Sequence, residues 1–355
     1  MTNQLVDDLR ELSQIVGVSS REGRVAKAIQ NKIDSLADES KFDALGNLIV
    51  TLKGTNKNAP TLMLDAHMDE IGIMVSHITA EGFLYFQKIG GFIDVIFAGQ
   101  TVVLVPENEA HPPVYGVIGI QPPHITSEED RKNVPKAEDL AIDIGAVSEE
   151  DVKNLGIDIG TTGTLVGEFR ELPNNRVLGK AFDDCTGCVV LIEVLRRLSK
   201  NRPEGTIVFN FATAEEVGGR GAATAAFSIE PDMAIALENT TAADTPGVPA
   251  HKCPTKLESG PAITVADHSL IVEQKIIDKF KVLAAKMKIP WQYKKPLSGG
   301  TDAGRIVVSR SGVPSAVLSV PCRYIHSPIS ILSIKDLERT CDLVEAFTKH
   351  FQELL

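Results

Sequence analysis

Apolar residues recur at helical spacing from the start of the chain, with Leu5, Leu9, Leu12 and Val16 set among charged and amide side chains. That period describes an amphipathic helix. Ser19-Ser20-Arg21-Glu22 has the spacing of a capping box and predicts a second helix through Val25, Ile29 and Ile33. Residues 47–52 then read as a strand, and residues 61–64 as a buried one. The second half resumes the alternation: helix over 182–200, strands over 205–213 and 233–237, helix over 270–287, strand over 315–320, and a closing helix from 344 onward. Such alternation predicts an α/β fold with helices packed on a mostly parallel sheet.

The middle of the chain follows another rule. From residue 73 to residue 166, short β-like runs at 83–86, 101–105 and 114–118 are broken by Gly and Pro, with no helical period between them. This predicts a small all-β barrel of residues 73–166 inserted into an α/β domain built from residues 1–72 and 167–355. Residues 121–140 are polar, Pro-containing and charge-rich, which predicts a mobile surface loop.

Length and composition narrow the function classes. A chain of 355 residues suits about two domains, and 43% hydrophobic with 23% charged residues is ordinary for a globular protein. A net charge of −11 leaves no basic excess for nucleic acid or an anionic membrane. No run approaches the roughly 20 apolar residues of a bilayer span, and the N-terminus lacks the pattern of a signal peptide. Five scattered cysteines favour reduced thiols in the cytoplasm. Cys185 and Cys188 form a C-x-x-C without a second pair at zinc-knuckle spacing, and are read as small structural residues of a helix rather than as a redox pair.

Five polar segments each follow an apolar run: Asp65-Ala-His67-Met-Asp69, Phe182-Asp183-Asp184, Thr213-Ala-Glu215-Glu216, Leu237-Glu238-Asn239 and Arg323-Tyr-Ile-His326. In α/β sheets ligands bind beyond the carboxyl ends of strands, where these clusters would fall. His and carboxylate without sulfur suit Zn²⁺, Co²⁺ or Mn²⁺. The set supplies a two-metal centre: His67 and His326 as terminal nitrogens, Asp183 as the bridge, and Glu216 and Glu238 as terminal carboxylates. Glu215 is then the base that takes a proton from a bridging hydroxide's parent water. Taken singly, each piece is more often a solvated loop, and His77, His111, His251, His268 and His350 are read that way. The acidic stretches at 128–130 and 149–151 are read as exposed.

With these residues in hand, the chain resembles the tetrahedral aminopeptidases, the glutamyl aminopeptidase family also labelled cellulase M. The likeness runs nearly end to end, through Gly17-Val-Ser, Asp43-Ala-Leu-Gly-Asn47, Ala66-His-Met-Asp-Glu-Ile-Gly72, Pro122-Pro-His124, Asp183-Asp184, Glu215-Glu216-Val-Gly, Gly299-Gly-Thr-Asp302-Ala and Arg323-Tyr-Ile-His326-Ser. The resemblance implies a phosphorylase/hydrolase-like domain of the zinc exopeptidase type, with the barrel serving dimerisation. It also implies dimers assembling into a tetrahedral dodecamer, peptide substrates with free N-termini, and two divalent ions per subunit, Zn or Co. It carries ligand roles to His67, Asp183, Glu216, Glu238 and His326, the catalytic base to Glu215, and to Asp69 the role of orienting the His67 imidazole. Many members have Asp where Glu238 stands and Arg where Cys185 stands, and neither difference removes a ligand. The insertion between Asp69 and Asp183 separates this pattern from di-metal carboxypeptidases and deacylases, whose extra domain comes later. Those two activities, and a non-catalytic metal-binding relative, are the rival readings. A cellulase would need carboxylates flanking a sugar groove and no His ligands.

Overall fold

In the computed structural model, which describes residues 2–122, 124–128, 132–295 and 299–355, the first apolar period forms α1 (Thr2–Gln14), with Leu5, Leu9 and Leu12 fully buried. Next comes α2 (Gly23–Ile33), which buries Val25, Ile29 and Ile33. Its start is not a capping box. Glu22 occupies the N-cap position without capping through its side chain, and the Ser19 hydroxyl donates instead to Asp69.

A mixed sheet forms the body of the molecule. In chain order its first strands are β1 (Glu39–Phe42), β2 (Leu48–Leu52) and β3 (Thr61–His67). After the insertion come β10 (Arg170–Leu172), β11 (Arg176–Gly179), β12 (Thr206–Ala212), β13 (Met233–Thr241), β14 (Ala262–Thr264), β15 (Gln292–Lys294), β16 (Ser315–Arg323) and β17 (Ser330–Ser333). Among the described residues the sheet runs β1-β2-β12-β3-β13-β16-β17-β11-β10, with β14 and β15 branching from β16. The centre is parallel, β12 to β3, β3 to β13 and β13 to β16, while both flanks are antiparallel. The central strands are buried throughout, as parallel strands covered on both faces must be.

One face carries α1, α2, α4 (Phe182–Lys200), α6 (Gln274–Met287) and α8 (Ile334–Thr348) over the largest apolar core. The other carries α5 (Arg220–Ile229) and α7 (Ala303–Ile306), whose Ala222, Ala225, Ala226 and Ile306 pack on Met63 and Val208. Running through the core, α4 is apolar nearly all round, as suits a helix covered on every side. The closing helix begins at Ile334, ten residues before the expected 344, because Ile334, Leu337, Cys341 and Val344 already form one buried stripe. The helix expected from 270 begins at Gln274, since Ile271 is held in a bridge to Ala266.

Between β3 and β10 lies the closed barrel: β4 (Gly72–Ile78), β5 (Leu84–Ile89), β6 (Gln100–Val105), β7 (Val114–Ile118), β8 (Ala141–Asp143) and β9 (Thr162–Leu165), ordered β4-β5-β8-β7-β6-β9. It has its own apolar core around Phe97, Leu104 and Ile142. Among the described residues one short α-helix does interrupt the strands. It is α3 (Glu149–Asn154), capped by the Ser148 hydroxyl, and the acidic residues at 149–151 are its first turn. Of the segment 121–140, Ala137 and Leu140 pack into the barrel core, while Pro123, Glu129, Asp130 and Arg131 lie outside the described residues. Pro296, Leu297 and Ser298 lie outside them as well.

Candidate metal centre

All the predicted chemistry gathers at the carboxyl ends of the parallel strands. His67 ends β3, Glu215 and Glu216 follow β12, Glu238 lies in β13, and His326 follows β16. Asp183 opens α4, where Asp183 and Asp184 depart from helical geometry and share a cis peptide bond. These groups face one cavity of about 730 Å³.

The geometry is organised around Asp183. One of its oxygens lies 3.3 Å from His67 Nε2 and the other 3.1 Å from His326 Nε2. Burial alone would raise this carboxyl, but hydrogen bonds to the two imidazoles outweigh it and hold Asp183 well below the ordinary range. Glu216 lies 3.4 Å from His326 Nε2, and Glu238 lies 3.8 Å from His67 Nε2. Glu215 stands at the open side of the cluster, 3.9 Å from His67. Two groups each offer ligand atoms within 4.8 Å of one another: His67 with Asp184 and Glu238, and Asp183 with Glu216 and His326.

Both imidazoles are oriented in the same way. His67 Nδ1 lies 2.9 Å from the Asp69 carbonyl, and His326 Nδ1 lies 2.9 Å from the Gly91 carbonyl. Each ring therefore keeps its Nε2 for the cluster, the arrangement metal-bound histidines usually have. The second contact comes from the barrel. Its Gly90-Gly91 turn presses so close that a Cβ on Gly90 would stand 3.2 Å from Glu216 and one on Gly91 3.0 Å from His326. Gly90 also has a φ of +81° and a Cβ there would stand 2.5 Å from Ile71, so that position calls for Gly.

The Asp69 side chain has more than His67 beside it. Its carboxylate lies 3.4 Å from His67 Nδ1, further than its own carbonyl. Meanwhile it accepts from the Glu215 amide (3.0 Å), the Glu216 amide (3.1 Å) and the Ser19 hydroxyl (2.6 Å). The two preceding amides are also taken by side chains, Thr213 by Asn47 (2.9 Å) and Ala214 by Glu22 (2.9 Å). Four consecutive backbone N–H groups are thus fixed, and with them the two glutamates. Burial would raise Asp69, but the hydrogen bond and charge of His67, with the Ser19 and Glu215 bonds, keep it below its usual value.

Crowding sets the other protonation states. Burial first, then neighbouring carboxylates, push Glu215 up to about 7 and Glu216 up to about 8. The same causes raise Asp184 and Glu238 well above normal. Burial alone would lower both histidines, yet Asp183 and its neighbours raise them, His326 to about 9. Among the described residues Asp69, Asp183, Asp184, Glu215, Glu216 and Glu238 face two imidazoles here, and Glu216 leaves a buried oxygen without a hydrogen-bond partner. Divalent cations fit such a donor set by charge and by ligand type, because nitrogen and carboxylate oxygen are present and sulfur is not. Cys188 is nearby but spends its thiol on the His67 carbonyl at 3.1 Å, and burial pushes the Cys185 thiol up to about 12. All five cysteines are buried and unpaired, so the C-x-x-C is structural.

Three features escaped the sequence reading. Asp184 joins the His67 group while accepting from the His67 amide (3.3 Å) and the Gly187 amide (3.0 Å). Its place beside Asp183 was the available signal. Asp65 lies against Asp302 behind the cluster and accepts from Asn210 at 2.6 Å, and burial pushes it up to about 6. Glu22, whose spacing suggested a helix cap, holds the turn before Glu215, and burial with the Asp69 charge raises it to about 7.

This α/β fold with its inserted barrel and its His–carboxylate cluster has the architecture of a di-metal-type peptidase scaffold, and the comparisons narrow the class. The family model described as M42 glutamyl aminopeptidase matches residues 46–343. An aminopeptidase from the archaeon Desulfurococcus kamchatkensis superposes with a TM-score of 0.93 at 35% identity, covering 98% of this chain and 95% of that one. The Pyrococcus horikoshii TET1 peptidase, which can assemble into a tetrahedron or a large octahedral shell, gives 0.86 at 35% identity, covering 97% and 99%. The lysyl aminopeptidase of Pyrococcus furiosus is 32% identical over 349 residues, covering 98% of this chain and 97% of that one. The chain belongs to the M42 aminopeptidase family.

Proposed function

We propose that this protein is a metal-dependent aminopeptidase that releases N-terminal residues from peptides. The observation that carries the reading is the position of Asp183, with one carboxylate oxygen toward each histidine and a separate ligand group on either side. His67 and Glu238, with Asp184 close by, would hold one divalent ion, and Glu216 and His326 the other, with Asp183 shared. Zn or Co suits these donors. Such ions supply Lewis acidity toward the scissile carbonyl and toward a water.

The chain's own residues do the rest. Glu215 lines the cavity beside the cluster without being needed as a ligand. Its carboxylate is placed to take a proton and return it to the leaving amine at the Glu215 side-chain oxygens. Asp69 and Glu22 hold its backbone so that this oxygen stays within reach of the reacting atoms. By likeness to the aminopeptidases it resembles, cleavage is proposed to be confined to free N-termini.

The barrel of residues 73–166 is proposed as a dimerisation module. Tyr115, Val117 and Ile120 stand 64%, 48% and 61% exposed on its surface, which is consistent with a face covered by another subunit. By its likeness to the horikoshii enzyme, dimers are proposed to build a tetrahedral dodecamer. Among the described residues no helix is long and apolar enough to cross a membrane, and five buried free thiols support a cytoplasmic setting. Glu215→Gln tests the base. It is expected to lower kcat by about 100-fold or more with metal content unchanged, and retained turnover would refute the role.

A further inference from the structure

We propose that Arg323 is a positioning residue: through its ion pair with Asp244 it holds the His326 turn and the neighbouring wall of the cavity in one arrangement. The inference rests on the paired-ion reading and adds which residues, themselves not ligands, set one of the two sites.

His326 sits on a turn that local preference does not favour. The turn leaves β16 at Arg323, and both Tyr324 (φ 61°) and His326 (φ 59°) take left-handed backbone conformations. Neither is glycine, so each conformation is costly and persists only where its surroundings impose it. Those surroundings are specific. The Ser327 and Ser330 hydroxyls donate to the Tyr324 carbonyl at 2.5 and 3.2 Å, and His326 Nδ1 lies 2.9 Å from the Gly91 carbonyl. Arg323 fixes the near end. Its Nε donates to one Asp244 carboxylate oxygen at 2.8 Å and its Nη2 to the other at 2.7 Å, while Nη2 also reaches the Asp244 carbonyl at 3.3 Å. A forked contact of this kind fixes direction as well as distance. The two side chains are 18% and 20% exposed. Burial would raise the Asp244 carboxyl, but the hydrogen bond and charge of Arg323 hold it below its ordinary value.

Asp244 belongs in turn to the segment that leaves β13. The Ala242 amide donates to the Cys322 carbonyl at 2.8 Å, the Ala243 amide to the Thr255 carbonyl at 3.2 Å, and the Thr255 hydroxyl to the Thr241 carbonyl at 2.8 Å. Thr240, Thr241 and Pro254 line the cavity, and so does Ile325 from the turn. One ion pair thus joins a metal-ligating turn to a wall of the substrate cavity. His67 and Glu238 are held differently, by β3 and β13 within the sheet. Loosening Arg323 therefore acts on the group of Asp183, Glu216 and His326 and spares the group of His67 and Glu238.

The test titrates the chelator-stripped full chain with Zn²⁺ against a competing indicator. Wild type is expected to take up two equivalents, and His326→Ala identifies the one held by the His326 group. Arg323→Met should weaken that same equivalent by roughly 10- to 100-fold, the usual effect of removing a group behind a metal ligand, and leave the other within about threefold. At saturating Zn²⁺ the remaining defect should lie in KM, with kcat within about threefold of wild type, because the displaced wall binds substrate and does no chemistry. Asp244→Asn keeps the shape of the side chain and so guards against misfolding. It should give the same pattern and add little when joined to Arg323→Met, since the two act as one unit. Equal weakening of both equivalents, or of neither, overturns the proposal. So does a defect confined to kcat, or a double variant whose two effects multiply. A wild type that takes up fewer than two equivalents would refute the paired-ion reading instead, whatever Arg323 does.

Discussion

Replacing Asp69 by Asn exchanges one oxygen for an amide group in a place where each neighbour of the carboxylate is a donor. Ser19 Oγ at 2.6 Å and the Glu215 and Glu216 amides at 3.0 and 3.1 Å all point at it. Asn has a single acceptor oxygen, so its NH₂ must face at least one of these N–H groups. A hydrogen bond to a charged acceptor contributes about 1.5–3 kcal/mol, and the displaced donor is left buried. We take about 3 kcal/mol for the change, close to a 100-fold effect. The His67 ring loses little, because its nearer acceptor is the Asp69 carbonyl, which Asn keeps. The damage is expected in the turn bearing Glu215 and Glu216. Asp69→Asn should lower kcat/KM about 100-fold at saturating metal and weaken metal affinity by 10- to 100-fold, as loss of groups behind metal ligands generally does. Steady-state kinetics and competition against a chelating indicator read the two effects. Values within about threefold of wild type for both would refute the claim that the Asp69 carboxylate positions this turn.

Three further outcomes follow. In the metal-free protein Glu215 and Glu216 titrate at about 7 and about 8, and His326 at about 9, all above their unfolded values. The folded state therefore holds protons that the unfolded chain releases, and stability falls as pH rises through this range. The Tm of the chelated protein should drop from about pH 6 to about pH 9, with added Zn²⁺ giving its largest gain at the alkaline end. A rising Tm would contradict this. Lys180 and Glu70 form an ion pair of 2.6 Å at 5% and 4% exposure, so Lys180→Met should cost about 3–5 kcal/mol in urea unfolding by stranding the Glu70 charge, and adding Glu70→Met should recover much of it. Val117→Asp with Ile120→Asp should convert the oligomer to smaller species by native mass spectrometry, and an unchanged mass would exclude this barrel face from the assembly.

What the sequence made legible was what depends on local period and on strand ends. The barrel was readable because its strands are short, Gly-punctuated and free of long helical periods. The clustering of His67, Glu215, Glu216 and His326 was readable because each closes or follows an apolar strand, whereas Glu238 lies within β13 and Asp183 opens α4. The sheet's antiparallel flanks were less so, since β10, β11 and β17 are only three or four residues long. Ser19 and Glu22 have the sequence of a cap, but tertiary partners, Asp69 and the Ala214 amide, outcompete the helix end for their side chains. The Asp65–Asp302 contact joins residues far apart in the chain, and no local pattern encodes it. The same holds for Gly90 and Gly91, whose role exists only because the barrel folds back onto His326.

The central claim is a paired-ion site acting on free N-termini. Its most direct test is a titration of the chelated protein with Zn²⁺ or Co²⁺, following amino-acid release from unblocked, N-acetylated and C-terminally labelled peptides. A paired-ion site gives no release without metal, activity that plateaus at about two equivalents per chain, and cleavage confined to free N-termini. Release by the metal-free protein, or equal cleavage of acetylated peptides, would contradict it.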